Sequence, residues 1–202
     1  MSRLTPLLLA VAVLPLAQAR AQTCTEPHYR WSEKIDASMA TKTRIAVDVS
    51  EILAWTPRTI TGKDKCAARI GHEKKVYTVT GYVRRIKTHE TDGDWHVEIT
   101  EDEATPVPAN CIVVEIPAGS NDAMYGAARD SLTKLVDMSH LSSAGDLDTP
   151  VPVTFTGAAF FDGYHQHKTP TPHASSHGRC NSSLHALWEI HPVYAVTTPV
   201  GP

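Results

Sequence analysis

The sequence contains none of the short motifs by which the large catalytic families are identified. It has no GxSxG nucleophile elbow, no HExxH metalloprotease motif and no glycine-rich phosphate loop. The four cysteines include no CxxC pair, which argues against a zinc ribbon or a dithiol redox centre. Internal repeats and low-complexity tracts are also absent. No catalytic residue is therefore assigned from motifs, and we expect a binding module rather than an enzyme.

Neither sign of charge dominates the chain. The formal net charge is −3, and loss of Arg3 and Arg20 with a leader peptide makes it more negative. Nucleic-acid affinity depends largely on neutralising phosphates, and the local basic group at Arg84 and Arg85 is soon followed by acidic residues. We therefore do not expect a nucleic-acid partner.

Only the start of the chain has a long apolar run. Arg3 gives this segment a positive start, residues 7–16 are apolar, and residues 17–19 or 19–21 offer the small-x-small pattern that signal peptidase cleaves. The run is much shorter than the roughly 20 residues that a membrane-spanning helix needs. We therefore predict a signal peptide over residues 1–21, no transmembrane segment after cleavage, and a soluble protein that is secreted or periplasmic.

The order of predicted elements after residue 75 indicates the fold class. Alternating apolar residues predict five strands, at about 76–87, 95–100, 110–116, 153–161 and 186–196. An apolar stripe at Ala128, Leu132 and Leu135 predicts a helix that ends near Met138, between the third and fourth strands. This is the chain path of an OB-type, five-stranded Greek-key barrel.

We therefore predict a mainly β protein with three regions after the leader. An irregular N-terminal extension covers residues 22–75, an OB-like barrel covers residues 76–197, and a short tail covers residues 198–202. The extension lacks a periodic pattern of its own, so we expect it to accompany the barrel and not to form a second domain.

All four cysteines follow the leader. An even number of cysteines in an exported chain is typical of disulfides, and four cysteines allow three pairings. We favour Cys24 with Cys66, within the extension, and Cys111 with Cys180, which would join the third predicted strand to the loop before the fifth. Oxidation of all four thiols would leave none for cysteine-based catalysis.

Outward-facing residues of three predicted strands form a candidate site. In an OB-type barrel the second strand lies beside the third, and the third lies beside the fifth, so their outward side chains share one surface. These residues are His96, Glu98, Glu115, Glu189 and His191. Two imidazoles and three carboxylates facing solvent together can bind a divalent cation or perform general acid/base chemistry. Polar residues also line the exposed face of any half-buried sheet, so a structural role stays open.

Histidine is frequent, with eleven residues in the chain. His165 and His167 would place two rings on one side of an extended segment, where alternate imidazoles can chelate a transition metal. The surrounding loop is rich in Pro, Thr, Ser and His, and its spacing matches no established zinc pattern. We therefore expect no resident cofactor, with His165 and His167 as the candidate ligands for a divalent metal.

Five ordered blocks of sequence carry a resemblance to known proteins. They are VYTVTGYV at 76–83, GDWHVEI at 93–99, CIVVEIP at 111–117, GAAFFD at 157–162 and WEIHPV at 188–193. This order resembles a group of uncharacterised exported bacterial proteins with GDxH, VEIP, GxxFFD and ELHPV-type blocks. The resemblance implies a bacterial source and a shared OB-like barrel. It implies no mechanism, because the group has no established activity.

Three functions are compatible with these observations. The leading one is binding of a small molecule, saccharide, peptide or envelope component on the outer face of the second, third and fifth predicted strands. The alternative is a metal-dependent hydrolase resembling exported OB-type nucleases, in which Glu98, Glu115 or Glu189 holds a metal or acts as the base. Arg84 or Arg85 would then stabilise a phosphate. The third is a structural domain without a ligand, in which His and Glu pairs fix the strand register.

Overall fold

The computed structural model describes residues 24–106, 110–166 and 176–199. The predicted signal peptide, His167 and residues 200–202 of the predicted tail therefore lie outside the described residues. None of the helices in the described ranges has the length and apolarity that crossing a membrane requires.

The described residues form six strands and three α-helices. The strands are β1 Arg44–Ala46, β2 Val76–Lys87, β3 Trp95–Thr100, β4 Cys111–Ile116, β5 Asp146–Phe161 and β6 Trp188–Thr197. The helices are α1 Trp31–Lys34, α2 Val49–Leu53 and α3 Ala123–Leu135. Short 3-10 helices occupy Ala37–Thr41, Gly71–Lys74, Met138–His140 and Leu184–Leu187.

The six strands form one mixed sheet that is ring-like. The hydrogen-bonded order is β1-β2-β3-β4-β6-β5, and β2 also pairs with β5, so five of the strands close on themselves. The β4–β6 pair is parallel, whereas the other neighbours within the ring are antiparallel. β1 lies outside the ring and pairs with β2 in parallel. The expectation of a mainly β protein is thus confirmed.

The fourth ring strand begins earlier than the sequence pattern predicted. β5 starts at Asp146 instead of residue 153, because residues 146–152 extend its antiparallel pairing with β2. Pro152 lies opposite Tyr82 in this register. The prolines and polar residues of this segment made it resemble a loop, and only its pairing with β2 makes it a strand.

The inward face of the ring is almost fully apolar. Alternate residues of β3, β4 and β6 point inward and are buried, namely Val97, Ile99, Ile112, Val114, Ile116, Trp188 and Ile190. Helix α3 packs against β6 and adds Tyr125, Ala128 and Leu132 to the same core. Because strand side chains alternate between faces, the residues between them must point to the outer face.

The N-terminal extension is held against the outer face by buried cations. Arg30 donates from Nη1 to the carbonyl oxygen of Phe161 in β5 at 3.2 Å, and its guanidinium lies 4.4 Å from the centre of the Phe160 ring. Arg69 donates from Nη2 to the carbonyl oxygen of His191 in β6 at 3.0 Å. Buried charges of this kind need their partners, because an unpaired charge in the interior is strongly destabilising. The extension therefore covers part of the surface on which we expected the site.

The structure has both disulfides in the pairing that we expected. Cys24 is bonded to Cys66 within the extension, and Cys111 of β4 is bonded to Cys180. Both sulfurs of the second bond are buried. This bond fixes the segment before β6 to the centre of the sheet, and that segment carries His177.

A glycine in β5 permits the close approach of β6 beside His191. A Cβ atom at Gly157 would meet the carbonyl oxygen of Pro192 and would lie 2.6 Å from Ile190 Cγ2. Contacts this short cannot be relieved by a flexible side chain alone, since one of them is to backbone. Gly157 therefore helps to set the position of the β6 segment that carries His191.

We predict that Gly157→Ala lowers the free energy of unfolding by about 2 kcal/mol or more, because overpacking forces the backbones of β5 and β6 apart. Gly126→Ala in α3 is the matched control, since its Cβ would have its nearest neighbour at 3.8 Å. The control substitution should raise the free energy of unfolding by up to about 1 kcal/mol, because alanine has a higher helix propensity than glycine. Urea unfolding measures both, and equal stability of the two variants would contradict the packing that we describe.

Candidate functional site

The five side chains predicted from strand periodicity lie together on the outer face of β3, β4 and β6. His96 and Glu115 are direct cross-strand partners, and Val113 of β4 lies opposite Glu189 of β6. His96 Nδ1 is 3.1 Å from Glu115 Oε1, and His96 Nε2 is 3.3 Å from Glu98 Oε1. The register of the sheet thus brings the first imidazole between two carboxylates.

Glu115 also connects this group to the second imidazole. Its Oε2 atom is 2.9 Å from His191 Nδ1, which is in turn 3.2 Å from Glu189 Oε2. The other ring nitrogen of His191, Nε2, is 3.1 Å from Asp94 Oδ2. Sequence reasoning missed Asp94, although it precedes β3 and forms part of the GDWH block.

Two segments that we did not assign to the site complete it. Asp162 follows β5 directly, and its Oδ2 atom is 2.6 Å from His165 Nδ1. His177 Nε2 is 2.6 Å from Glu189 Oε1. We refer to all of these side chains together as the histidine–carboxylate cluster, which comprises Asp94, His96, Glu98, Glu115, Asp162, His165, His177, Glu189 and His191.

The expectation that the five predicted residues face solvent is wrong. Glu98, Glu189 and His191 are 0% exposed, and His96 and Glu115 are 5% and 7% exposed. The N-terminal extension and the segment around His177 cover them. Lys34 of α1, for example, places its Nζ atom 3.7 Å from Glu115 Oε2.

The sequence contained a partial signal for these additional residues. His165 was predicted as a metal ligand together with His167; the structure places His165 beside Asp162, and His167 lies outside the described residues. The spacing Asp-x-x-His after a buried strand could have connected Asp162 with His165. No sequence signal connects His177 with Glu189, because their contact depends on how the segment before Cys180 folds back.

A pocket of about 310 Å³ opens above the cluster. Five cluster side chains line it, namely His96, Glu115, Asp162, His165 and His177. Its rim comes from the extension, with His28, Tyr29 and Lys34, and from the β2–β3 connection. Glu98, Glu189 and His191 are not among the lining residues, so the cluster has a covered part and a part that lines an opening.

The carboxylates set the protonation of the histidines. Burial alone would lower the pKa of His96, but hydrogen bonds to Glu115 and Glu98 and the charges of both carboxylates raise it to about 9. Burial and the charge of Lys34 lower the pKa of His191, yet Glu115 and Asp94 raise it well above its usual value. Both imidazoles are therefore expected to be cationic at neutral pH.

The acidic members respond in the opposite direction. Burial would raise the pKa of Glu115, but Lys34, His191 and His96 hold it well below its ordinary value. The pKa of Asp162 is likewise raised by burial but lowered further by its hydrogen bond to His165 and by Lys34. These two carboxylates thus stay ionised inside the cluster, and their charge is balanced by neighbouring imidazoles and by Lys34.

The cluster also contains side chains of the types that bind metal ions. Two groups of its side chains present ligand atoms that all lie within 4.8 Å of one another: Asp162 with His165 and His177, and Asp94 with Glu115 and His191. Imidazole and carboxylate are the ligands that divalent transition metals accept most often in mixed sites. The arrangement can therefore bind a cation or orient a polar ligand at its floor.

Comparison of the chain with protein-family models, curated proteins and solved structures found no match. The function is therefore inferred from the geometry of the cluster and the pocket.

The raised pKa of His96 predicts a loss of stability on the alkaline side. Glu98, Glu115 and the ring of His177 face His96, and its pKa rises from 6.5 to about 9 on folding. A group whose pKa is raised on folding makes its full contribution to stability below its unfolded pKa. This contribution is lost as the pH rises through its folded pKa. We expect a decrease in the free energy of unfolding of about 3 kcal/mol over that range.

Denaturant unfolding at a series of pH values tests this dependence. His96→Gln should show a shallower decrease than the wild type, whereas His140→Gln, which removes an exposed imidazole, should not differ from it. A titration of His96 by NMR with a midpoint near 6.5 would contradict the geometry.

Proposed function

We propose that this protein is an exported bacterial binding module that takes a small polar ligand in the pocket above β3, β4 and β6. The observation that carries the proposal is the pocket floor, where buried and mutually hydrogen-bonded charged side chains from three elements meet an opening of about 310 Å³. Ligand pockets usually place a few polar groups in this way to fix the orientation of what they bind. The polar lining favours a polar ligand over an apolar one.

We also propose that the ring is an OB-type barrel. Support comes from its five closed strands and from α3, which lies in the chain between β4 and β5, the third and fourth ring strands. OB-folds bind oligonucleotides and oligosaccharides on the face of their second and third strands. In this protein those strands are β3 and β4, and they carry His96, Glu98 and Glu115.

The purely structural interpretation accounts for only part of the cluster. Asp94, Glu189 and His191 are fully covered, and their ion pairs can fix the strands to one another without any ligand. The structural interpretation does not explain why His96 and Asp162 also line a pocket. Polar groups that serve only the fold need no opening beside them.

The hydrolase alternative receives no comparable support. Arg84 donates to the carbonyl oxygen of Glu103 at 2.7 Å, and Arg85 donates to that of Ala144 at 2.8 Å. Neither arginine lines the pocket. A cation close to the reacting phosphate is a usual part of phosphodiester chemistry, and the two arginines to which this alternative gave that role lie outside the pocket, so we propose binding over catalysis.

Export is proposed on the basis of the disulfides and of the leader. Disulfides persist in oxidising compartments and are rare in the cytosol. Both bonds join cysteines that follow the predicted signal peptide. The bacterial source rests on the resemblance of the five sequence blocks.

Thermal unfolding in the presence of small polar compounds tests the binding proposal. We expect at least one member of a panel of mono- and disaccharides, amino acids, dipeptides and cell-wall fragments to raise the Tm of the wild type. The same compound should have little effect on His96→Gln, which changes the pocket floor. His89→Gln, which alters an exposed imidazole outside the pocket, should respond like the wild type. A shift that persists in His96→Gln would contradict the proposed location.

A further inference from the structure

We propose that Asp162, His165, His177 and Glu189 bind one divalent transition-metal ion, with Zn²⁺ the best match, at the floor of the pocket. The inference rests on the proposed function, because the metal would be a ligand of that same pocket. Asp162 and His177 come from segments that sequence analysis did not assign to the site, whereas Glu189 was predicted as an outward-facing carboxylate and, in the hydrolase alternative, as a metal ligand or base.

The ligand atoms are already close together. Those of Asp162, His165 and His177 lie within 4.8 Å of one another, and Glu189 Oε1 is 2.6 Å from His177 Nε2. Zinc takes four nitrogen, oxygen or sulfur ligands at about 2.0 to 2.3 Å. Two imidazoles and two carboxylates satisfy that number after small movements of the side chains.

Three of the four side chains are oriented by groups outside the ligand set. Asp162 Oδ1 accepts from the backbone N–H of Tyr164 at 2.9 Å, which leaves Oδ2 for the cluster. His177 Nδ1 donates to the carbonyl oxygen of Ala186 at 2.8 Å, which turns Nε2 toward Glu189 Oε1; a bound metal would take the place of the proton that Nε2 donates to Glu189. Glu189 Oε2 is 3.2 Å from His191 Nδ1. Outer partners of this kind are the usual companions of metal ligands.

The segment that carries His177 is fixed on the cluster by its own backbone. The N–H of Arg179 donates to Glu98 Oε1 at 3.0 Å, and Cys180 is bonded to Cys111 of β4. Gly178 has a φ of 57°, and a Cβ atom there would meet the Glu98 carboxylate and lie 2.9 Å from His96 Nε2. This conformation and this approach favour glycine, which together with the disulfide helps to position His177 in the absence of an ion.

The other close group, Asp94 with Glu115 and His191, is a poorer candidate. The Lys34 ammonium already lies 3.7 Å from Glu115 Oε2 and supplies a cation there. Asp94 and His191 do not line the pocket, whereas Asp162, His165 and His177 do. Three of the four proposed ligands therefore line the opening, whereas of the other group only Glu115 does.

The ligand types also indicate which ions should bind. Mixed imidazole and carboxylate ligands suit zinc and its neighbours in the first transition row, whereas Mg²⁺ and Ca²⁺ prefer sites made of oxygen alone. We expect Zn²⁺ and Co²⁺ to bind, and Mg²⁺ to compete poorly.

Calorimetric titration of untagged, metal-stripped protein with Zn²⁺ tests the inference. We expect one equivalent to bind, and His165→Ala to raise the Kd by at least about tenfold. His165 is partly exposed, so its loss should leave the fold intact, and circular dichroism checks this. His89→Ala is the matched control, because it removes an exposed imidazole outside the pocket. Its Kd should equal that of the wild type.

Adventitious binding by the remaining loop histidines needs a separate control. The double variant His167→Ala with His173→Ala alters residues outside the described ranges, and we expect it to retain the zinc site. Loss of binding in this variant, with binding retained in His165→Ala, would overturn the inference. Absence of zinc binding in the wild type, or equal weakening by His89→Ala, would also overturn it.

Co²⁺ absorption provides a readout that does not depend on any variant folding well. We expect the visible bands of tetrahedral Co²⁺ in the wild type, whereas a purely octahedral spectrum would contradict the four-ligand set. If polar organic compounds bind through His96 and zinc does not bind, the metal inference fails and the proposed function stands. If zinc binds through His165 and no organic compound binds, the metal site stands and the organic-ligand proposal fails.

Discussion

The carboxylate of Glu115 is shared by three cations from parts of the chain that are distant in sequence. Its Oε1 atom is 3.1 Å from His96 of β3, and its Oε2 atom is 2.9 Å from His191 of β6 and 3.7 Å from Lys34 of α1. Each of these charges has left water, so each depends on the others for compensation. The outer face of the ring and the N-terminal extension are therefore stable only as a combined unit, in which the extension serves as part of the site.

This dependence divides the cluster into two parts with different roles. Around Glu115 and His191, the chain supplies its own cation through Lys34, and burial is almost complete. Around Asp162 and His177, carboxylates and imidazoles lie beneath an opening. The buried charged groups thus hold the fold together on one side and leave a place for a ligand on the other. Some residues serve both binding and stability, so variants of residues between the two parts of the cluster need a measurement of ligand binding and a measurement of unfolding.

The sequence predicted the parts of the site that follow from strand periodicity. His96 and Glu98 alternate with Val97 and Ile99, so the two-residue period placed them on the outer face. It could not predict that this face is covered, because the cover depends on tertiary contacts between the extension and the ring, such as that of Lys34 with Glu115. The disulfide between Cys111 and Cys180, which the sequence did predict, fixes the other part of the cover. His177 has no periodic neighbour and reaches Glu189 only because that disulfide and Gly178 fold its segment back. The start of β5 at Asp146 was also missed, because the prolines in this segment are typical of a loop. Its pairing with β2 makes it a strand, and that pairing leaves no local pattern in the sequence.

The free energy of unfolding of Glu115→Gln tests the central role of this carboxylate most directly. The substitution keeps the shape of the side chain and removes its charge, which leaves His96, His191 and Lys34 without their shared counterion. The account predicts a loss of about 3 to 5 kcal/mol at neutral pH, as expected when a buried ion pair loses one partner. Glu103→Gln, which neutralises an exposed carboxylate, should change stability by no more than about 0.5 kcal/mol. Equal, small effects of the two substitutions would contradict the account.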